Sequence, residues 1–108
     1  MIRRLSLRSQ ARTQITTAFN DAWGRNPRRA ELLLAEVDEV FRRLLENPFL
    51  YAVRDERTRR VNLRRFPYAI RYQVKESVDP ATGQPVEQII VFGFFHQRQD
   101  PARMRDEP

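Results

Sequence analysis

Residues 64–74 have the sequence RRFPYAIRYQV, in which two arginines and a proline lead into alternating apolar and polar residues. Successive side chains of a β-strand point to opposite faces of its sheet. One face of this strand therefore carries Tyr68, Ile70, Tyr72 and Val74. The other face carries Ala69, Arg71, Gln73 and Lys75. The pattern predicts a half-buried strand that is entered through a turn at Pro67, where a missing N–H costs no ladder hydrogen bond.

The residues before the turn alternate in the same way. Within residues 57–65, Val61 and Leu63 share one face, and polar side chains occupy the other. We predict that basic side chains on the polar faces of these two strands converge into one patch that binds an anion or a protein target. The patch consists of Arg60, Arg64, Arg71 and Lys75. Guanidinium groups suit this role because their planar N–H groups match phosphate and carboxylate oxygens in pairs.

Two amphipathic helices are predicted upstream, after a short strand at residues 2–8. Apolar residues recur there at three- and four-residue spacings, as they do on one face of a helix. Ser9 is predicted to cap the first helix, and Gly24 to end it, because glycine tolerates the left-handed conformation that closes many helices. The second begins at Pro27 and ends before Pro48, because the residue before a proline disfavours helical geometry. Helices joined this closely form an antiparallel hairpin.

The last part of the sequence predicts a loop, a strand and a tail. Residues 78–86 contain two prolines and a glycine, which favour a loop. Residues 87–96 are apolar on both faces, which predicts a central strand. Strict alternation places Ile89, Val91 and Phe95 on one face and Ile90, Phe92 and Phe94 on the other. Residues 97–108 are charged, contain two prolines and favour a flexible tail.

The order of these elements predicts an α+β fold, written β-α-α-β-β-β. An N-terminal strand is followed by a two-helix antiparallel hairpin, and the hairpin packs on a mainly antiparallel sheet of three further strands. The chain has 108 residues and no internal repeat, so we expect one domain over residues 1–108.

Composition excludes several classes of protein and leaves the partner open. The chain has no cysteine and one histidine, so we expect no disulfide, no metal site and no cofactor. No apolar run approaches the roughly 20 residues that span a bilayer, so we expect a cytoplasmic protein. The formal net charge of +6 indicates either an anionic partner or a codon bias towards arginine. Residues 1–20 lack acidic groups, as transit peptides do, but their strand and helix periodicity favours folded elements.

Two segments carry a resemblance to a known family. They are ENPFLYAVRDERTRRVNLRRFPYAIRYQV at residues 46–74 and IIVFGFFHQRQDPARM at residues 89–104. The first contains an arginine-rich strand and an RxFPY turn. The second contains an HxRxDP pattern, formed by His96, Arg98, Asp100 and Pro101. Together they resemble the RelE/ParE superfamily of toxins from type II toxin–antitoxin systems, of the plasmid-stabilisation type, although Met104 stands where the family often has tryptophan.

The resemblance implies a growth-inhibiting toxin that a small, acidic antitoxin neutralises, and it leaves two activities open. ParE-like members bind and inhibit DNA gyrase and are not enzymes, and the HxRxDP pattern favours this alternative. RelE-like members are endonucleases that cut messenger RNA on the ribosome. In a nuclease of this kind, the resemblance implies that the catalytic residues are His96, Arg98, Arg65, Arg71 and Tyr68. A non-toxic basic module that binds nucleic acid is a third interpretation, which does not depend on the resemblance.

Each candidate residue also has a purely structural interpretation. His96 ends an apolar strand, where a histidine is often a hydrogen-bonded structural residue. Tyr68 and Tyr72 share a face with aliphatic residues, so we expect at least one of them in the core. Arg98 and Asp100 can form a local pair near the end of the chain.

Overall fold

The computed structural model describes residues 1–99, with the side chains of residues 1–98. Its elements are β1 (Ile2–Leu7), α1 (Ser9–Arg25), α2 (Pro27–Glu46), β2 (Val53–Asp55), β3 (Thr58–Asn62), β4 (Tyr68–Val78), β5 (Pro85–His96) and a 3₁₀ turn (Gln97–Gln99). The predicted α+β fold is confirmed, and β2 is a short additional strand. Residues 100–108, which include Asp100, Pro101 and Met104 and the end of the predicted tail, lie outside the described residues.

One mixed sheet contains all five strands, in the order β1-β5-β4-β3-β2. β1 runs parallel to β5, with Leu5 opposite Ile89, and the other neighbouring strands are antiparallel. β5 therefore lies inside the sheet, between β1 and β4, as its apolar composition predicts.

The β4–β5 hairpin is longer than the sequence suggests. Its ladder continues to Val78 opposite Pro85, so the predicted loop shrinks to residues 79–84. Gly83 has a φ of 73°, a conformation that glycine adopts without a steric penalty. Its N–H donates to the carbonyl oxygen of Asp79 over 2.7 Å and closes the turn.

A bulge in β5 changes which phenylalanines face the helices. The pairing with β4 shifts by one residue around Phe92. An extra residue in one strand reverses the faces of the side chains that follow it. Phe94 therefore packs in the core with Ile89 and Val91, and Phe95 points to the opposite side of the sheet. The prediction that grouped Phe95 with Ile89 and Val91 was wrong, because strict alternation ignores the bulge.

Asn26 lies between the two helices and forms a hydrogen bond with each of them. α1 continues one residue past Gly24, because the N–H of Asn26 still donates to the carbonyl oxygen of Ala22 over 2.8 Å. The side-chain oxygen of Asn26 accepts a hydrogen bond from the N–H of Arg28 over 3.1 Å and caps α2. The predicted start of the second helix at Pro27 is confirmed, and the predicted end of the first helix was one residue short. The prediction that Ser9 caps the first helix was wrong, because Ser9 is already helical and Arg8 occupies the cap position.

The core lies between the helical hairpin and one face of the sheet. Its largest fully buried side chains include Tyr72, Leu33, Leu44 and Ile70. The Tyr72 hydroxyl donates a hydrogen bond to the carbonyl oxygen of Pro48 over 2.9 Å. Burial raises the pKa of Tyr72 to about 12, because a buried phenolate would lose its hydration. Tyr72 is thus a core residue, as predicted for at least one of the two tyrosines.

Arg3 connects three elements at one edge of the sheet. Its Nε atom lies 2.8 Å from a carboxylate oxygen of Glu87, which is buried. Its Nη1 atom donates to the carbonyl oxygen of Glu46, at the end of α2, over 2.5 Å. The last carbonyls of a helix carry partial negative charge, so an arginine at this place stabilises the helix end. β1, β5 and α2 are thereby linked.

Candidate functional site

One face of the sheet is packed against α1 and α2, and we call the other face the open face. It is formed by the side chains of β3, β4 and β5 that point away from the helices. They include Arg60, Asn62, Arg71, Gln73, Lys75, Ile90, Phe92 and Phe95.

Three of the four residues of the predicted basic patch lie on the open face. Arg60 and Arg71 are directly opposite each other on β3 and β4. Lys75 lies on the same side of β4, about 13 Å beyond Arg71 at roughly 3.3 Å per residue. Arg64 follows the end of β3 and belongs to the turn, where its side chain is exposed. The structure therefore brings Arg60 and Arg71 together and keeps Lys75 on their side, whereas Arg64 lies in the turn beyond the end of β3.

The two central arginines rest on phenylalanine rings of β5. The guanidinium carbon of Arg60 lies 5.6 Å from the centroid of the Phe95 ring. The guanidinium carbon of Arg71 lies 5.6 Å from the centroid of the Phe92 ring. The electron-rich face of an aromatic ring attracts a cation at this distance. The apolar outer side of β5 is thus covered by arginines and not by a helix.

Hydrogen bonds orient the same two guanidinium groups. The Nε atom of Arg60 donates to the side-chain oxygen of Asn62 over 2.9 Å. The Nη2 atom of Arg71 donates to the hydroxyl of Thr58 over 3.1 Å. Like charges that face each other on neighbouring strands repel, so these contacts offset a cost of the arrangement.

A cavity of about 310 Å³ opens beside Arg71 on the open face. Its walls combine apolar, amide and charged groups, from Arg8, Asp55, Glu56, Thr58, Arg71, Gln73, Ile90 and Phe92. Of the two acids, Asp55 ends β2 and Glu56 begins the turn to β3, where Glu56 and Arg57 have φ values of 43° and 69°. Two positive φ angles give a hairpin turn whose twist matches that of its strands. Arg8 is a basic residue of this region that sequence reasoning did not select.

A buried carboxylate holds the turn that carries the paired arginines. Glu36 of α2 is 9% exposed. Its two oxygens accept the backbone N–H groups of Arg64 and Arg65 over 2.5 and 3.0 Å, and such charge-assisted bonds are strong. The side chains of both arginines remain exposed, so the turn is fixed from the inside while its cations face solvent. Sequence reasoning missed Glu36, although an acid between Leu33 and Val37 in the apolar stripe of α2 is a visible signal.

The five predicted catalytic residues do not meet at one point. Tyr68 and His96 contact each other on the helix-covered face, with ring centroids 5.7 Å apart. Arg98 follows His96 in the 3₁₀ turn. Arg71 projects from the opposite face of the sheet, over Phe92. Arg65 lies in the turn that Glu36 holds.

Tyr68 and His96 line a cleft of about 410 Å³ against α1, together with Asp21, Arg25 and Arg29. The Nδ1 atom of His96 accepts a hydrogen bond from the backbone N–H of Arg98 over 3.1 Å. In the neutral imidazole, the proton is therefore on Nε2. This contact fits the structural interpretation of His96 as a hydrogen-bonded residue at the end of a strand.

Within residues 1–99, no group of three or more histidine, cysteine, aspartate or glutamate side chains is arranged to hold a metal ion. In the same part of the chain, neither α1 nor α2 has the length and apolar character that crossing a bilayer requires.

The fold and its arginine-rich turn define a toxin of the RelE/ParE superfamily, as the resemblance implied. Within that superfamily, the family model described as "ParE toxin of type II toxin-antitoxin system, parDE" matches residues 5–101, and the chain belongs to this family.

A solved structure has the same fold. A chain of the structure described as "Chromosomal ParDE TA system from P. aeruginosa" superposes with a TM-score of 0.67. The match covers 88% of this chain and 96% of that chain, at 15% sequence identity. Identity at this level shows the fold alone. A comparison with curated proteins finds no match.

Proposed function

We propose that this ParE-family toxin binds and inhibits DNA gyrase and does not itself cleave RNA. The observation that carries the proposal is the separation of the predicted catalytic residues. Arg71 is on the open face, whereas Tyr68 and His96 contact each other on the helix-covered face. Cleavage by a ribose 2′-oxygen needs a proton acceptor, a proton donor and phosphate-binding cations around a single phosphate. Groups on opposite faces of a sheet cannot share that phosphate.

The proposed contact with gyrase is the predicted basic patch. Arg60 and Arg71 form its centre, Lys75 extends it along β4, and Arg64 contributes from the turn. Arginines that are supported by rings and hydrogen bonds lose less conformational entropy on binding than free side chains do. Charges arranged in this way increase association rates and select anionic partner surfaces.

The proposed regulator is a small, acidic antitoxin, which the toxin would meet in the cytoplasm. The matching family and the similar solved structure are both described as parts of a toxin–antitoxin system. A chain with a net charge of +6 attracts an acidic partner over distances comparable to the Debye length. We expect the antitoxin to cover enough of the basic surface to block the target contact.

A supercoiling assay with purified gyrase and the purified chain tests the proposal. We expect inhibition that a co-purified antitoxin abolishes, and growth arrest with a DNA-damage response in cells. His96→Ala should keep both effects, because His96 lies away from the open face. The double variant Arg60→Gln with Arg71→Gln should weaken them, and Arg42→Gln, exposed on α2, is the matched control.

Two results would contradict gyrase inhibition. Messages cut at codon boundaries in arrested cells, with activity lost in His96→Ala, would support the ribosome-dependent nuclease and its mRNA target. Expression without any growth effect would support the non-toxic nucleic-acid-binding module.

A further inference from the structure

At the centre of the open face, two arginines lie over two phenylalanine rings, and attraction of an anion would not by itself require this arrangement. Arg60 and Arg71 lie opposite each other, and each guanidinium carbon is 5.6 Å from the centroid of a ring, Phe95 or Phe92. A lysine side chain would provide the same charge on a compact ammonium group that has no plane. A guanidinium is planar and stacks on other flat groups, including aromatic ones. Two flat cations thus lie side by side over an aromatic layer.

We propose that the open face binds single-stranded nucleic acid. Unpaired bases stack on the guanidinium groups of Arg60 and Arg71, because arginine planes and aromatic rings are the surfaces on which proteins stack bases. Backbone phosphates contact the cations that flank this pair, Arg8 and Lys75. The inference goes beyond gyrase inhibition, since the isolated toxin would bind this ligand without gyrase.

The cavity of about 310 Å³ beside Arg71 suits a base and not a phosphate. Ile90 provides an apolar wall, and the amide of Gln73 offers both a donor and an acceptor to the edge of a base. The carboxylates of Asp55 and Glu56 line the same cavity and offset the charges of Arg8 and Arg71 there, which favours an uncharged base over a phosphate group. A base in the cavity places its phosphates at the mouth, next to Arg8 in the cavity wall and on the side of the sheet that carries Lys75.

A single strand fits this face better than a duplex or an acidic peptide does. In a duplex the bases are already paired and stacked on one another, so they are not available to the arginine planes. An acidic peptide loses some paired N–H contacts to its carboxylates when an arginine becomes a lysine, but it has no base to stack and should therefore lose less than a single strand does. An arginine-to-lysine substitution keeps the charge and removes the planar group. It should therefore reduce the affinity for a single strand more than the affinity for an acidic peptide.

Fluorescence anisotropy with labelled probes tests the proposal. Three probes are compared: a DNA single strand, a duplex of the same sequence, and a glutamate-rich peptide. The single strand has about twelve nucleotides, a length within the range of binding-site sizes of single-strand-binding domains. We expect the single strand to bind most tightly. The double variant Arg60→Lys with Arg71→Lys keeps the net charge and should weaken single-strand binding by about tenfold, and peptide binding by clearly less. Arg42→Lys on α2 is the matched control and should change nothing.

The phosphate contacts have a separate signature. Two contacts predict that the logarithm of Kd rises with the logarithm of salt concentration with a slope of about 1.4, at roughly 0.7 per contact. Lys75→Gln should lower this slope by about 0.7, whereas the double arginine-to-lysine variant should leave it unchanged. Lys75 is exposed, so this variant tests the proposal without disturbing the fold.

Three outcomes would overturn the proposal. They are equal affinity for duplex and single strand, equal weakening of all three probes in the double variant, and tightest binding of the peptide. The last outcome would make the open face a protein-docking surface. Thermal unfolding of each variant confirms that it is folded. Because no gyrase is present, failure here is distinguishable from failure of gyrase inhibition.

Discussion

The two faces of the sheet are built from alternate residues of the same strands, yet different forces order them. On the covered face, Tyr72 and Phe94 are 0% and 2% exposed, and packing determines their positions. On the open face, Arg71 and Phe92 are half-buried, and a cation–ring contact orders them. The difference teaches that fold stability depends mainly on the covered face, while the open face can change with little cost to the fold. Substitutions on the two faces should therefore separate stability from binding.

The largest expected effect compares two adjacent phenylalanines. Phe94→Ala removes a buried ring and should lower the free energy of unfolding by about 3–5 kcal/mol. Phe95→Ala removes a half-buried ring and its contact with Arg60, and should cost about 1 kcal/mol. Urea unfolding of both variants measures the two losses. Similar losses would mean that the bulge at Phe92 does not reverse the two faces.

The second effect concerns the buried carboxylate beneath the turn. Glu36→Gln replaces one acceptor oxygen with an amide that has hydrogens of its own, so one backbone N–H loses its partner. We expect a loss of about 2 kcal/mol, in the range for hydrogen bonds to charged groups. Glu31→Gln, exposed on the same helix, is the control and should stay within about 0.5 kcal/mol of the parent. An equal stability of the two variants in urea unfolding would refute the role of Glu36.

The third effect uses the buried tyrosine hydroxyl. Tyr72→Phe leaves the carbonyl oxygen of Pro48 without this donor and should cost about 1–2 kcal/mol in urea unfolding at neutral pH. The pKa of Tyr72 is raised from 10.0 to about 12 in the folded chain, so the protonated phenol favours folding. This part of the stability is fully present below pH 10 and is lost as the pH rises from 10 to about 12.

The pH dependence gives this prediction its control. In an alkaline series of urea unfolding curves, Tyr72→Phe should lose less stability between pH 10 and 12 than the parent does. Parallel curves for the two chains would contradict the assignment.

The smallest effect on stability is expected on the open face. Arg71→Gln removes the contact with Phe92 and the hydrogen bond to Thr58, but also the repulsion from Arg60, so the free energy of unfolding should change by no more than about 0.5 kcal/mol. Gyrase inhibition should nevertheless weaken by about tenfold, which is about 1.4 kcal/mol of binding free energy. A supercoiling titration beside a urea melt measures both quantities. A large loss of stability with unchanged inhibition would reverse the comparison between the faces.

The elements with local signals were predictable from the sequence. The apolar stripe of α2 and the prolines at its two ends are signals within one short stretch of sequence. The alternation that assigned Arg71 and Tyr72 to opposite faces is a local signal of the same kind. The bulge at Phe92 was not predictable, because its position depends on the register with β4. A strand that is apolar on both faces contains no polar residue to mark that register.

The candidate site was predictable only in part. The alternation of residue types correctly predicted that Arg60 and Arg71 share one face. It also predicted that β3 includes Arg64, but the strand ends at Asn62. The turn begins there because Glu36 binds its backbone, and a contact between residues 28 positions apart leaves no local pattern. The rings that support the arginines were hidden for the same reason, since they come from a different strand.

The pairing of β1 with β5 has a consequence for synthesis of the chain. Ile2 lies opposite Val86 and Leu7 opposite Val91, so the first of the five described strands pairs with the fifth. The N-terminal segment leaves the ribosome early, but its parallel ladder cannot close until residue 91 has emerged. Long-range pairing of this kind is slow, and the helical hairpin can form before it. A nascent chain that stops before β5 lacks the strand that both β1 and β4 need, so the sheet and its open face can form only after β5 has been synthesised.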